Sequence, residues 1–200
     1  MNARTIAMLG LALATPVASG QTVPPVGIVI EVDDPELQPG ESTMLTLSAA
    51  WLGASTRTYD IARVDTNLLA STGGLGLSDP MLLAPMNGPG TLVGEISATG
   101  VDGILAGKLN WPFPIFPPPP YPLPFWQVTY TAPDDVAAPF EVELSTVTTR
   151  FDAYIEMTSH ETVALIGEVV EGEATIRVIP GPGSGVLLVA GACWTARRRR

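Results

Sequence analysis

The chain has 200 residues, twenty acidic and ten basic, with a formal net charge of −10. A negative balance of this size excludes nucleic acid as a partner, because phosphate backbones are repelled. One cysteine and one histidine exclude an internal disulfide and leave too few ligands for a zinc site.

In chain order, Met1 to Gly20 carries Arg4, then an apolar run from Ile6 to Ala14, then Pro16 and the small residues Ala18, Ser19 and Gly20. Charge, short apolar run and small residues in that order predict a secretory signal peptide. The apolar run is about nine residues, well short of the roughly 20 a spanning helix needs.

The region 21–179 is one domain of ordinary size. All twenty acidic residues lie within it, opposed only by Arg57, Arg63, Lys108, Arg150 and Arg177. Its periodicity is mostly two. Gly27 to Val32 reads as a strand ended by Asp33-Asp34-Pro35, and Pro39-Gly40-Glu41 as a turn. Thr43 to Ala50 alternates, and Thr58 to Val64 is a third strand. Leu68 to Gly90, rich in Gly, Pro, Ser and Met, reads as a long loop with at most one short element. Val93 to Thr99 and Ile104 to Leu109 are strands either side of a turn at Gly100 to Gly103.

Trp111 to Trp126 interleaves prolines with aromatic rings. Prolines lack N–H donors, so this stretch is expected to be an extended, polyproline-like crossover and not a central strand. Trp111, Phe116, Tyr121 and Trp126 form a candidate ligand surface for a glycan or a partner groove. The plainer reading has the rings packed onto the domain. Gln127 to Thr131, Phe140 to Thr148 and Arg150 to Met157 are strands. Val163 to Val170 and Glu173 to Ile179 form a tight hairpin about Glu171-Gly172. Short strands at about ten-residue spacing, with no amphipathic helix between, predict an all-β fold, an antiparallel β-sandwich.

Catalytic groups are scarce. A Ser–His–Asp site would have to use His160, which lies in a polar link between strands. The pairs Asp33-Asp34, Asp134-Asp135 and Glu171 with Glu173 show no spacing for a glycosidase and no dense calcium loop. No catalytic residue, metal site or cofactor is expected. Calcium is the one ion the acidic pairs could recruit.

The chain ends with Pro180-Gly181-Pro182-Gly183, a mostly apolar or small run from Ser184 to Ala196, then Arg197, Arg198, Arg199 and Arg200. The run is about 13 residues, short for a lasting span, and the arginines would hold its end on the cytoplasmic side. These three parts, on a chain with a signal peptide at its other end, resemble a PEP-CTERM sorting signal. Gly181 stands where that family has glutamate. The resemblance implies an export translocon, a transient hold in the inner membrane, and an exosortase-like enzyme acting near the triplet. It further implies delivery to the cell surface or extracellular matrix. The Pro39-Gly40-Glu41 turn between strands is similar to that of many immunoglobulin-like and cohesin-like surface modules.

The organisation expected is a signal peptide with an N-terminal helix (1–20), an exported sandwich (21–179) and a sorting or anchor segment with a C-terminal apolar helix (180–200). The function expected is structural or interactive and not enzymatic. The alternative is a carbohydrate- or protein-binding module, with or without calcium.

Overall fold

A computed structural model describes residues 25–52, 60–108, 121–154, 162–164 and 169–181. The expected terminal helices, Trp111, Phe116, His160, Pro182 and the four terminal arginines lie outside the described residues.

All regular structure among the described residues is strand: β1 (Val26–Val32), β2 (Glu36–Leu37), β3 (Ser42–Trp51), β4 (Asp60–Ala70), β5 (Leu77–Leu82), β6 (Glu95–Ile96), β7 (Gly100–Gly107), β8 (Leu123–Thr131), β9 (Phe140–Tyr154), β10 (Thr162–Ala164), β11 (Val169–Val170) and β12 (Glu173–Val178). One sheet runs β11-β1-β3-β8-β5, the other β2-β12-β9-β4-β7-β6, with β10 on β9. The sheets face each other as a β-sandwich. Alternation explains why: Leu45 and Leu47 on β3, Val64 and Leu68 on β4, and Val142 and Leu144 on β9 are all buried at every second position. Each such side chain contributes about 1.5–3 kcal/mol of burial.

The sheets are mixed rather than purely antiparallel. β11 runs parallel to β1, and β2 parallel to β12. The cause lies in two sheet switches. The early chain leaves the first sheet at Asp33 to Pro35 and enters the second as β2. The late chain does the same at Glu171-Gly172, so the expected hairpin there is a crossing between sheets. Gly172 is required by close approach, since a Cβ would lie 2.9 Å from the Ile28 carbonyl oxygen. Thr146 fixes the crossing: its N–H donates to Gly172 O (3.0 Å), and Gly172 N–H donates to Thr146 Oγ1 (2.8 Å).

Bulges correct three other expectations. The two strands read across 140–157 are one 15-residue strand through Tyr154. Thr149 is skipped in its register with β4, which turns the alternation over and brings Phe151 inward. β8 begins inside the proline stretch and is central, between β3 and β5. Pro124 is tolerated because its partner Ser48 lies at a bulge and the β5 register ends at Trp126. The same bulge buries the neighbours Phe125 and Trp126 together, both 0% exposed.

The long loop expected over 68–90 is shorter. β4 continues to Ala70, and β5 occupies Leu77–Leu82. The turn placed at Gly100 to Gly103 lies inside β7, and the chain reverses at Ser97 to Thr99. There Ser97 N–H donates to Gly100 O (2.9 Å), and Ser97 Oγ accepts Thr99 N–H (3.1 Å).

Candidate functional site

The aromatic surface expected from the sequence does not form at its described end. Trp126 is fully buried and donates its indole N–H to Val93 O (2.8 Å). Tyr121 is half-buried, its ring edge-on to Trp51 at 6.1 Å. Pro180 and Gly181 follow β12 and are half-buried.

Asp34 and Glu171, one member each of two acidic pairs, serve the fold. Asp34 Oδ1 accepts Glu36 N–H (3.1 Å) and closes a turn. The Glu171 carboxylate accepts Thr146 Oγ1–H (2.7 Å), Thr148 N–H (2.7 Å) and Thr148 Oγ1–H (2.9 Å), pinning the sheet switch. Among the described residues no three His, Cys, Asp or Glu side chains converge to hold a metal ion.

The polar chemistry gathers elsewhere, on the outer face of β4 and β9. Both strands carry Arg-x-Asp: Arg63-Val64-Asp65 and Arg150-Phe151-Asp152. Period two sends both members of each pair to one face. Antiparallel register then sets Arg63 opposite Asp152 and Asp65 opposite Arg150. Arg63 donates to Asp65 through Nε (2.7 Å) and Nη2 (2.6 Å), and Arg150 Nε donates to Asp152 Oδ2 (2.8 Å). The hydrogen bond to Asp65 raises the Arg63 pKa above its ordinary value, so its charge is permanent. The side chains of Arg63 and Arg150 remain 36% and 48% exposed, which leaves both free to meet a partner. Beside them opens a cavity of about 260 Å³, lined by Arg63, Arg150, Asp152, Tyr154, Thr91 and Gly107 among others. Asp152 Oδ1 is buried with no hydrogen-bond partner among the described residues.

Below this face lies a second polar group. Lys108, just after β7, donates its backbone N–H to Ala62 O (3.0 Å) and lines the same cavity. Its side chain turns inward, and Nζ donates to Asp60 Oδ1. That oxygen also accepts Ile61 N–H (2.9 Å) and Tyr121 Oη–H (2.9 Å). Burial lowers the Lys108 pKa, against the opposing pull of Asp60. Burial, aided by the Asp60 carboxylate, raises the Tyr121 phenol well above its ordinary 10.0.

That last shift has a consequence for alkaline stability. A group whose folded pKa is raised contributes stability that is whole below its unfolded pKa and is lost as pH rises from there to the folded value. The share from Tyr121 should therefore start to fall near pH 10 and go on falling above it, while the lowered Lys108 pKa acts in the opposite sense. Urea midpoints of Tyr121→Phe should fall less steeply than the parent's over the same range, and equal slopes would refute the assignment.

Sequence reasoning missed these residues. Arg-x-Asp occurring in two strands was a usable signal for the outer face. Asp60 and Lys108 are 48 positions apart, and each looks ordinary alone.

No protein-family model matches the chain, and no curated protein matches it. Solved structures do match its fold. The chain is similar to the seventh ScaB type I cohesin from Pseudobacteroides cellulosolvens, with 11% identity and a TM-score of 0.53, over 80% of this chain and 94% of that one. It is also similar to a cohesin module from a Clostridium perfringens family 33 glycoside hydrolase, with 11% identity and a TM-score of 0.48, over 80% of this chain and 100% of that one. A third is the sixth cohesin of Acetivibrio cellulolyticus scaffoldin B, solved in complex with a Cel5 dockerin, with 14% identity and a TM-score of 0.46, over 78% of this chain and 99% of that one. The likeness to the first is one of fold, a sandwich of cohesin type.

Proposed function

We propose that this chain is an exported, non-enzymatic interaction domain, carried out of the cell by its signal peptide and sorted through its PEP-CTERM-like tail. On this reading an exosortase-like enzyme processes the tail after a transient inner-membrane stage. The mature domain then acts at the cell surface or in the extracellular matrix by binding a protein partner. The cohesin-type fold supports an interaction role. So does the thrift of the interior, where the described polar groups close turns, switches and ion pairs.

The docking face on this proposal is the outer face of β4 and β9. The single observation that carries it is the pair of part-exposed arginines, Arg63 and Arg150, each held by an aspartate of its own strand beside an open cavity. Both meet the partner already ordered, so little side-chain entropy is lost on binding. Arginine is also among the residues that dominate binding energy.

The face can be tested in the producing cells. A photo-crosslinking side chain at Val147, 43% exposed on the outer face of β9, should capture a partner. The same group at Met44, 36% exposed on the outer face of the other sheet, should not. Capture at Met44 alone would move the docking face, and capture at neither would defeat the interaction reading.

A further inference from the structure

Lys108 is the only lysine in the chain; the other basic residues are all arginine. Its side chain is 0% exposed and that of Asp60 5% exposed. A purely structural ion pair at this place would suit arginine, whose fork satisfies both carboxylate oxygens and whose charge is weakly hydrated. Lysine leaves Asp60 Oδ2 buried and without a described partner. What lysine offers and arginine does not is an amine that can become a nucleophile when burial removes its proton. The pair also sits beside the aromatic rings of Tyr121 and Trp51, with water excluded from both reacting groups.

We propose that the folded chain joins Lys108 to Asp60 by an amide bond between Nζ and Cγ, tying the start of β4 to the end of β7. The step is a condensation and needs no co-reactant. Within the existing hydrogen bond, one ammonium proton passes to the carboxylate, giving a neutral amine and a neutral acid. The Nζ lone pair then attacks Cγ, and the negative charge of the tetrahedral intermediate rests on Oδ2. A second proton passes from Nζ to Oδ1, whose departure is eased by the Ile61 N–H and Tyr121 Oη–H donors that hold it. The Cγ–Oδ1 bond breaks, Oδ1 leaves as water, and Oδ2 becomes the amide oxygen. Both hydrogens of that water come from the original ammonium, and the third stays on the amide nitrogen. Contact between the two groups supplies the high effective concentration such a step needs. Tyr121 is a positioning and polarising residue here and forms no bond itself. The proposal is independent of the docking face.

The test uses the folded full-length chain, purified, incubated, then denatured and cleaved after arginine. Cleavage separates residues 58–63, which hold Asp60, from residues 64–150, which hold Lys108. A single species lighter than the sum of the two peptides by one water, with its link mapped to Lys108 and Asp60, is the expected result. Two separate peptides, with the Lys108 amine open to an acylating label after denaturation, would overturn the proposal. Tyr121→Phe, checked for folding by circular dichroism, should join more slowly by on the order of a hundredfold. An unchanged rate would overturn the role given to Tyr121. Lys108→Arg should give separate peptides, and a joined species from that variant would place the link elsewhere and overturn the assignment.

Discussion

Lys108→Ala should destabilise the sandwich by roughly 3–5 kcal/mol, the scale seen both when one partner of a buried ion pair is removed and when a cross-link closing a loop of this length is lost. Asp60 is the reason. Its side chain is 5% exposed, and without Lys108 its charge keeps only Ile61 N–H and Tyr121 Oη–H as donors. Folding stability for a domain is about 5–15 kcal/mol in total, so the variant stands near the edge of folding. Replacing both partners, Lys108→Met with Asp60→Leu, should recover part of the loss, because no buried charge is then left alone. Urea unfolding of the two variants beside the parent measures both effects. A loss for Lys108→Ala within about 1 kcal/mol would mean that the pair is solvated in solution.

Trp126→Ala should cost about as much, roughly 3–5 kcal/mol, through lost burial and the cavity left behind. Trp126 lies fully buried on β8, in register with Leu47 on β3 and Leu82 on β5. Its N–H also anchors Val93, so that carbonyl loses its donor. This effect separates the two readings of the aromatic stretch. A ring used for an exposed ligand could be truncated with little change in stability, whereas a core ring could not. Trp126→Phe keeps much of the buried area and should fall between parent and alanine variant. An alanine variant with the parent's urea midpoint would return Trp126 to the surface.

The sandwich was legible because alternation is a local signal. β1, β3 and β12 stand within a residue or two of where Gly27 to Val32, Thr43 to Ala50 and Glu173 to Ile179 placed them. What misled was every point at which tertiary context changes the count. Thr149 and Phe125 each add one residue to a strand, and a one-residue shift reverses which face is apolar. That made β9 look like two strands and let two adjacent aromatics both go inward. Glu171-Gly172 has the composition of a tight turn. Its glycine is instead used for close packing against Ile28 as the chain changes sheets. Pro124 argued rightly against a ladder hydrogen bond. The bulge at Ser48 removed the need for one.

The candidate site was less legible than the fold. The face of Arg63, Asp65, Arg150 and Asp152 depends on β4 and β9 being neighbours in a particular register. One chain shows the repeated Arg-x-Asp but not which strands pair. The Asp60, Lys108 and Tyr121 group needs three separate strands to meet at one end of the sandwich. The aromatic residues drew notice because they cluster in sequence, yet Trp126 is part of the core. The lone lysine was visible in the composition, and its meaning depended on Asp60 being its neighbour.

Export and surface delivery of this sandwich are tested most directly in an exosortase-bearing bacterium. The full chain would carry one epitope just after Gln21 and another just before Pro180, and be followed by fractionation and intact mass. The expected product begins near Gln21, lacks Arg197 to Arg200, and is found at the cell surface or in the extracellular matrix. A full-length product in the cytoplasm, or one that keeps Arg200 in the inner membrane, would contradict it.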